Sequence, residues 1–241
     1  MMPDHLTLSS VEDKLALCPV DVQIQNGQGR AWLFRFIDDV RMHDGLFTLL
    51  SDDERARAMA FRVATARNQY VQTRAVLRLL LGRVLNLPAK ALGFEYGTHG
   101  KPTLRNEACW HFNVAHSGDY ALLAVARGIH IGVDIERQRV TDDLDGLARM
   151  VLSPTEAHQW ARLPHTDRVA AFFSLWTAKE AVVKALGCGL GLGLTTLDLG
   201  EVGPVPEGGR CVVAGEAVTC KLMPISAPAG YSAALAMHAL R

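Results

Sequence analysis

The chain lacks the features that mark several large classes of protein. Its 25 Lys and Arg residues balance 25 Asp and Glu residues, so no net charge favours a nucleic acid as partner. It has no uninterrupted apolar run of about 18 residues, the length that a membrane-spanning helix requires. Its first residues also lack a basic and then apolar signal pattern. We therefore expect a protein with neither a nucleic acid nor a membrane as partner.

Cysteine is scarce and poorly spaced for cross-linking. The chain has five cysteines, Cys18, Cys109, Cys188, Cys211 and Cys220. They form no CxxC pair and no short disulfide framework. A reduced, cytoplasmic setting is the expectation that follows.

One segment places an acid and an amine close together. It runs from Phe172 to Leu194 and reads FFSLWTAKEAVVKALGCGLGLGL. On a helix, Glu180 and Lys184 share a face because residues four apart lie one turn from each other. The many apolar neighbours leave little room for a polar face, which predicts charges close to buried surface. The pair is either a surface ion pair or part of a reaction centre that needs further partners.

The stretch HIGVDIER supplies such partners. Its alternating apolar residues predict a strand with one buried face, which puts Asp134 and Glu136 together on the opposite face. With Glu180 as a third carboxylate, this oxygen-only set suits magnesium better than zinc. For the acidic pair alone, a solvent-facing strand edge is the alternative.

A third segment, HGKPTLRNEACWHFNVAHSGDYALLAVARG, offers ligands for anions. Gly100, Lys101 and Pro102 predict a turn, and Asn113 and His116 come just before the next strand. Lys101 and His116 are candidates to hold anionic oxygens, although His116 alone also suits a hydrogen-bonded structural histidine. The segment is not a P-loop, because proline follows the lysine and the upstream glycine spacing is absent.

Four motifs, in this order, resemble those of the Sfp-type 4′-phosphopantetheinyl transferases: GKP, FNVAHSGDYALLAVA, GVDIE and WTAKEAVVKALGCGLGL. The resemblance spans about Ser51 to Leu194. It implies a magnesium-dependent enzyme that transfers the 4′-phosphopantetheine group of coenzyme A to a serine of an apo acyl carrier or peptidyl carrier protein. Adenosine 3′,5′-bisphosphate would be released. The alternatives are a magnesium-dependent phosphohydrolase and a module that binds coenzyme A without catalysis.

The resemblance also implies roles for individual residues. Asp134, Glu136 and Glu180 would be the magnesium ligands. Glu180 would also be the base that takes the serine proton, and Lys184 the cation that stabilises the departing phosphate. The implied contacts of coenzyme A come from several segments: Arg57, Gly100, Lys101, Pro102, Asn113, His116 and Lys179.

Two positions leave alternatives open. Arg57 is assigned by its spacing within DDERARAMAFR, and Arg55 and Arg62 are neighbours that could substitute. Ala115 stands where many family members carry serine, so a hydroxyl contact to a phosphate would be missing. Ser117 or backbone amides are the candidates to replace it.

Two recurring stretches predict an internal repeat. TRAVLRLLLG parallels KEAVVKALG and GDYALLAVA parallels AGYSAALAMHAL, at offsets of 106 and 111 residues. The resemblance implies the same architecture, an α+β fold of two pseudo-symmetric halves, each a helix packed on a small antiparallel sheet. We predict a first half at residues 1–128, with coenzyme A contacts, and a second at 129–241, with the magnesium site. A ligand cleft is expected where they meet.

Turn residues and apolar spacing predict the main elements. We expect a strand at Ala31–Phe36 and helices at Asp52–Phe61, Ala66–Leu85, Asp143–Met150, Pro154–Leu163 and Phe172–Leu186. Ser51 and Ser153 are the predicted N-caps.

The resemblance implies a carrier-protein docking region that follows the catalytic lysine. Here this region is Ala185–Thr196, where leucines alternate with glycines. That composition predicts an apolar contact. A buried glycine-rich turn is the alternative for these leucines. A monomer is the expected assembly.

Overall fold

A computed structural model describes residues 8–20, 29–97, 101–187, 193–203, 211–213, 216–218 and 220–239. Its α-helices are α1 (Leu8–Leu15), α2 (Val40–Phe47), α3 (Asp52–Met59), α4 (Ala64–Leu85), α5 (Leu144–Val151), α6 (Pro154–Ala161) and α7 (His165–Leu186). Its strands are β1 (Cys18–Val20), β2 (Gly29–Arg35), β3 (Phe94–Tyr96), β4 (Pro102–Leu104), β5 (Trp110–Ser117), β6 (Tyr120–Arg127), β7 (Ile129–Arg137), β8 (Leu197–Asp198), β9 (Cys211–Val213), β10 (Glu216–Val218), β11 (Cys220–Pro224) and β12 (Tyr231–Ala239). In the described part of the chain, no helix is both long and apolar enough to span a bilayer.

Two antiparallel sheets form the centre of the molecule. The first has the strand order β1-β2-β6-β5, and the second has the order β11-β12-β7. Strands β5 and β7 are therefore edge strands of the two sheets. Two smaller sheets, β3-β4 and β10-β9-β8, lie outside this centre.

Three apolar cores hold the layers together. The first joins α4 to one face of the first sheet, and the second joins α7 to one face of the second sheet. The third lies between the two sheets and includes Leu122, Val133 and Leu235. The order of layers is thus helix, sheet, sheet, helix, and apolar burial stabilises each boundary.

The two halves repeat the same plan, as the sequence predicted. Helices α4 and α7 have 22 residues each, and α7 begins and ends 101 residues after α4. Each ends at a residue in the left-handed conformation, Asn86 (φ 55°) and Gly187 (φ 72°). The α+β fold of two pseudo-symmetric halves is confirmed. The helix offset of 106 was wrong, because Ala, Val and Leu recur within each helix and do not fix a register.

The predicted helices are present, with shifted ends. Helix α7 begins seven residues before the predicted start at Phe172, directly after Pro164, which occupies its N-cap position. The mostly polar residues that follow Pro164 form its first two turns. Ser51 and Ser153 each take part in a capping box, with Glu54 and Glu156.

A buried ion pair occupies the same place in each half. Glu54 of α3 pairs with Arg74 and, at 2.6 Å, with Arg78 of α4. Glu156 of α6 pairs with Lys179 of α7 at 2.5 Å. Each acid therefore completes a capping box and fixes a short helix against the long helix of its half.

Candidate active site

The two central sheets meet along their edge strands. The Oδ1 atom of Asn113 on β5 accepts a hydrogen bond from the backbone N of Val133 on β7 at 2.9 Å. Four residues further along both strands, the Oγ atom of Ser117 accepts one from the backbone N of Arg137 at 3.1 Å. The strands therefore run side by side in the same direction, joined by side chains.

Helix α7 crosses β7 at very short range. A Cβ atom on Gly132 would overlap the Ala181 carbonyl oxygen and the Ala185 backbone nitrogen, so the crossing requires glycine. Side chains two and four residues beyond Gly132 share its face of the strand. Asp134 and Glu136 consequently share one face of the strand, as the alternation in the sequence predicted, and the structure turns this face towards α7.

This crossing forms a cleft at the sheet junction. The cleft has a volume of about 370 Å³. Its lining comes from β5, β7 and α7: Val114, Ala115, His116, Asp134, Glu136, Trp176, Glu180 and Lys184. The structure thus brings together the three predicted acids, the predicted catalytic lysine and His116.

Asp134 is the most deeply buried acid of the cleft. The Nζ atom of Lys184 donates a hydrogen bond to its Oδ1 atom at 2.6 Å, while its buried Oδ2 atom has no partner among the described residues. Burial raises the pKa of Asp134 to about 7, against the opposing effect of Lys184 and with smaller contributions from Glu136 and Glu180. A cation bound at Oδ2 would satisfy this oxygen and would favour the charged form of the carboxylate.

The other two acids differ in their partners. The Oε2 atom of Glu136 accepts a hydrogen bond from the hydroxyl of Ser117 at 2.8 Å. Glu180 is half-buried, and no hydrogen bond or ion pair holds its carboxylate in the described part of the chain. Its carboxylate is therefore available to a ligand.

Two basic residues from the first half lie near Lys184. His116 is exposed at the rim of the cleft, and its pKa is lowered by partial burial and by the Lys184 charge. The Nζ atom of Lys101 donates a hydrogen bond to the backbone oxygen of Lys184 at 2.6 Å. Burial, and then the Lys184 charge, also lowers the pKa of Lys101. This lysine therefore ties the first half to the C-terminal turn of α7.

Some predicted site residues lie elsewhere. Arg57 is exposed on α3, with its guanidinium carbon 5.9 Å from the centre of the Tyr70 ring. Pro102 begins β4, beside Tyr96 of β3. Gly100 lies outside the described residues, as do residues 188–192 of the predicted docking region.

Lys179 is not at the cleft. Besides the ion pair with Glu156, its ammonium donates hydrogen bonds to the backbone oxygens of Val151 at 2.7 Å and Leu194 at 3.0 Å. These three partners use all the hydrogens that an ammonium carries. Burial lowers its pKa, although Glu156 opposes this. Sequence spacing placed Lys179 beside Glu180, but consecutive helix residues point in different directions.

Two residues of the site had no predicted functional role. Trp176 lines the cleft one turn before Glu180 on α7, a spacing that the sequence already showed. Val114 of β5 also lines the cleft. No motif marks Val114, because its position depends on how the two sheets meet.

The donor set fits magnesium in its chemistry. Three carboxylates face one cleft, and a buried oxygen of Asp134 lacks a partner, which a divalent cation would supply. In the described residues, however, no three acidic, histidine or cysteine side chains are grouped as metal ligands. Lys184 and Ser117 already engage one oxygen each of Asp134 and Glu136.

Fold and cleft together define a two-halved protein with an acidic site at the junction. Two family models match the halves in turn. Residues 35–127 match the model described as 4′-phosphopantetheinyl transferase, N-terminal, and residues 130–219 match the 4′-phosphopantetheinyl transferase superfamily.

Individual relatives agree with these models. The chain is 38% identical over 191 residues to the 4′-phosphopantetheinyl transferase HetI of Nostoc sp., covering 78% of this chain and 74% of that protein. It is 31% identical over 147 residues to the 4′-phosphopantetheinyl transferase psf-1 of Bacillus pumilus, covering 61% of this chain and 62% of that protein. The chain belongs to the 4′-phosphopantetheinyl transferase family, a family of transferase enzymes, which confirms the prediction from its motifs.

Proposed function

We propose that this protein transfers the 4′-phosphopantetheine group of coenzyme A to a serine of an apo acyl carrier or peptidyl carrier protein. The observation that carries the proposal is the convergence of Asp134, Glu136, Glu180 and Lys184 on one cleft between the halves. Family membership gives the reaction class, and the cleft contains the charged groups that this reaction needs.

We assign Asp134, Glu136 and Glu180 as the residues that would hold Mg²⁺. The ion would neutralise the charge of the coenzyme A pyrophosphate. The protein's own groups handle the proton and the leaving group. Glu180 takes the proton of the carrier serine. As it does so, the serine oxygen bonds to the phosphorus that bears pantetheine, and the bond from that phosphorus to the departing adenosine 3′,5′-bisphosphate breaks. Lys184, whose ammonium has one hydrogen beyond its bonds to Asp134 and Val133, stabilises the departing phosphate.

Coenzyme A would lie along the first-half side of the cleft. His116 and Lys101 lie next to Lys184, and we assign them to the phosphates and the adenine side of coenzyme A. Arg57, Gly100 and Pro102 stay proposed contacts. We leave Lys179 out of this site, because Glu156, Val151 and Leu194 already take its three hydrogens.

Carrier-protein docking near Ala185–Thr196 also stays a proposal. Two observations support it: the region follows Lys184 directly, and Lys179 fixes its far end through the Leu194 oxygen. The cytoplasmic location and the monomeric state stay predictions from the sequence.

Mass measurement of the carrier protein tests the proposed reaction. The protein is incubated with coenzyme A, Mg²⁺ and apo carrier proteins, and we expect the carrier to gain the mass of one phosphopantetheine group. Glu180→Gln should lower turnover by about 100-fold or more, the range for a lost general base. Glu95→Gln, at an exposed position outside the cleft, is the matched control and should keep full turnover. Release of bisphosphate without mass gain would identify a hydrolase instead.

A further inference from the structure

The hairpin between β5 and β6 is held from two sides. Its tight turn begins at Gly118, which has a φ of 54°, as turns of this kind require. The Nε2 atom of Gln69 on α4 donates a hydrogen bond to the Gly118 oxygen at 2.9 Å. The backbone N of Asp119 donates one to the hydroxyl of Tyr231 on β12 at 3.1 Å. The turn, and with it Ser117 at the end of β5, is therefore fixed against both halves.

Both hydrogen-bonding functions of the Ser117 hydroxyl are used within the fold. Its oxygen accepts from the backbone N of Arg137, and its single hydrogen goes to the Oε2 atom of Glu136 at 2.8 Å. While it donates to Glu136, Ser117 cannot donate to a phosphate. It is thus not a replacement for the hydroxyl that Ala115 lacks.

We propose that Ser117 is a positioning residue that sets the orientation of the Glu136 carboxylate towards Mg²⁺. A glutamate side chain rotates about several bonds, so fixing one orientation of its carboxylate has an entropic cost. A hydroxyl bond to a carboxylate is charge-assisted and therefore strong. Because this bond engages Oε2, Oε1 would be the oxygen left for Mg²⁺. The inference rests on the proposed function, since it assigns Glu136 to the metal.

The arrangement also joins the two halves at the site. Ser117 comes from the first half, directly after His116, whereas Glu136 comes from the second half. The orientation of this acid therefore depends on the docking of β5 beside β7. Hydrogen-bonded partners of ligating carboxylates commonly tune metal affinity.

Binding of Mn²⁺, followed by electron paramagnetic resonance, tests this role without turnover. The full chain is titrated with Mn²⁺ in the presence of coenzyme A and without carrier protein. Ser117→Ala should weaken Mn²⁺ binding about 10-fold or more, the range for lost partners of metal ligands. Ser117→Thr keeps the hydroxyl and should restore most of the affinity. Tyr231→Phe removes only the hydroxyl that accepts from the Asp119 amide, while Gln69 still holds the turn and Arg137 still holds the Ser117 hydroxyl, so this variant should bind Mn²⁺ like the wild type.

Transfer assays supply a second readout. For Ser117→Ala we expect a higher Mg²⁺ concentration for half-maximal rate, with kcat largely recovered at saturating Mg²⁺. Unchanged Mn²⁺ affinity in Ser117→Ala would overturn the role of Ser117. An equal loss of affinity in Tyr231→Phe, together with no rescue in Ser117→Thr, would overturn it as well. Both results would leave the proposed metal site in place. A wild type whose Mn²⁺ binding is absent or insensitive to Asp134→Asn would overturn the proposed metal site and this inference with it.

Discussion

At the scale of single residues, the three acids of the cleft differ in their contacts. Asp134 is buried and paired, Glu136 is held by a hydroxyl, and Glu180 has no partner in the described residues. A base needs a carboxylate that can approach the serine proton, which favours Glu180 over the other two. Because Glu180 is also assigned to Mg²⁺, the bound cation would lower its basicity, and its two proposed roles oppose each other.

Lys184→Ala tests the role of the lysine in the leaving-group step. Its ammonium should matter most as charge develops on the departing phosphate, so we expect kcat to fall about 100-fold. The KM for coenzyme A should change far less, because the contact strengthens in the transition state. Steady-state kinetics with apo carrier protein measures both constants.

Two controls accompany the Lys184 variant. Lys90→Ala removes an exposed lysine outside the cleft and should leave both constants unchanged. The thermal unfolding midpoint shows whether loss of the Asp134 partner has destabilised the fold. A variant with normal kcat and a raised KM would contradict the proposed role of Lys184.

At the scale of secondary structure, local signals placed most elements. Ser51 and Ser153, as predicted N-caps, gave the starts of α3 and α6, and the structure adds a capping box at each. Alternation along β7 predicted that Asp134 and Glu136 share a face. The sequence did not reveal that Glu54 and Glu156 are buried against the long helices, because a capping box does not indicate which surface the short helix packs on.

The close crossing at Gly132 shows why the site itself was only partly predictable. Spacing placed Glu180 and Lys184 on one helix and the acids on one strand. The helix and the strand come together because Gly132 lets α7 approach β7 closely. From the sequence alone, a glycine in a strand can equally indicate a bulge or a bend. The family resemblance supplied that link, whereas the residue pattern alone left a surface ion pair open.

Glu54→Gln tests the buried ion pair of the first half. The change leaves Arg74 and Arg78 without their charge partner in the interior, and loss of one partner of a buried pair costs about 3 to 5 kcal/mol. Denaturant unfolding at pH 7 should show a loss of that order. Glu95→Gln breaks an exposed pair with Arg105 and should cost less than about 1 kcal/mol.

The pH dependence of this pair has a definite sign. Burial acts to raise the pKa of Glu54, but Arg74 and Arg78 lower it overall. A carboxylate with a lowered pKa in the folded state stabilises the fold above its unfolded pKa of about 4.3. That stabilisation disappears as the pH falls through the folded value. The stability difference between wild type and Glu54→Gln should therefore shrink below about pH 4; a constant difference would contradict the pairing.

At the scale of the whole molecule, the proposed active site lies where the two halves meet. Each half has its own long helix, sheet and buried ion pair, and a shared core lies between the sheets. The acids and Lys184 belong to the second half, whereas His116, Lys101 and Ser117 belong to the first. Loss of the junction should therefore abolish the site while each half keeps its own core.

Asn113→Ala tests the junction directly. Asn113 is buried, and its oxygen accepts from the Val133 amide at 2.9 Å, one residue before Asp134. Without that acceptor a buried N–H is left unpaired, which costs about 1 to 3 kcal/mol. We expect a lower thermal midpoint and faster hydrogen exchange of the Val133 amide, measured by NMR. Asn68→Ala, a change on α4 outside the junction, should alter neither quantity.

The same variant separates two roles of Asn113. The sequence predicted a contact with coenzyme A, whereas the structure shows a bond that joins β5 to β7. If Asn113 mainly joins β5 to β7, hydrogen exchange of the Val133 amide becomes faster even without ligand. Turnover then falls because Asp134 loses its fixed position. Unchanged exchange together with weaker coenzyme A binding would instead make Asn113 a ligand contact. Because the Val133 amide reports on the junction in the absence of substrate, its exchange rate decides between the two roles.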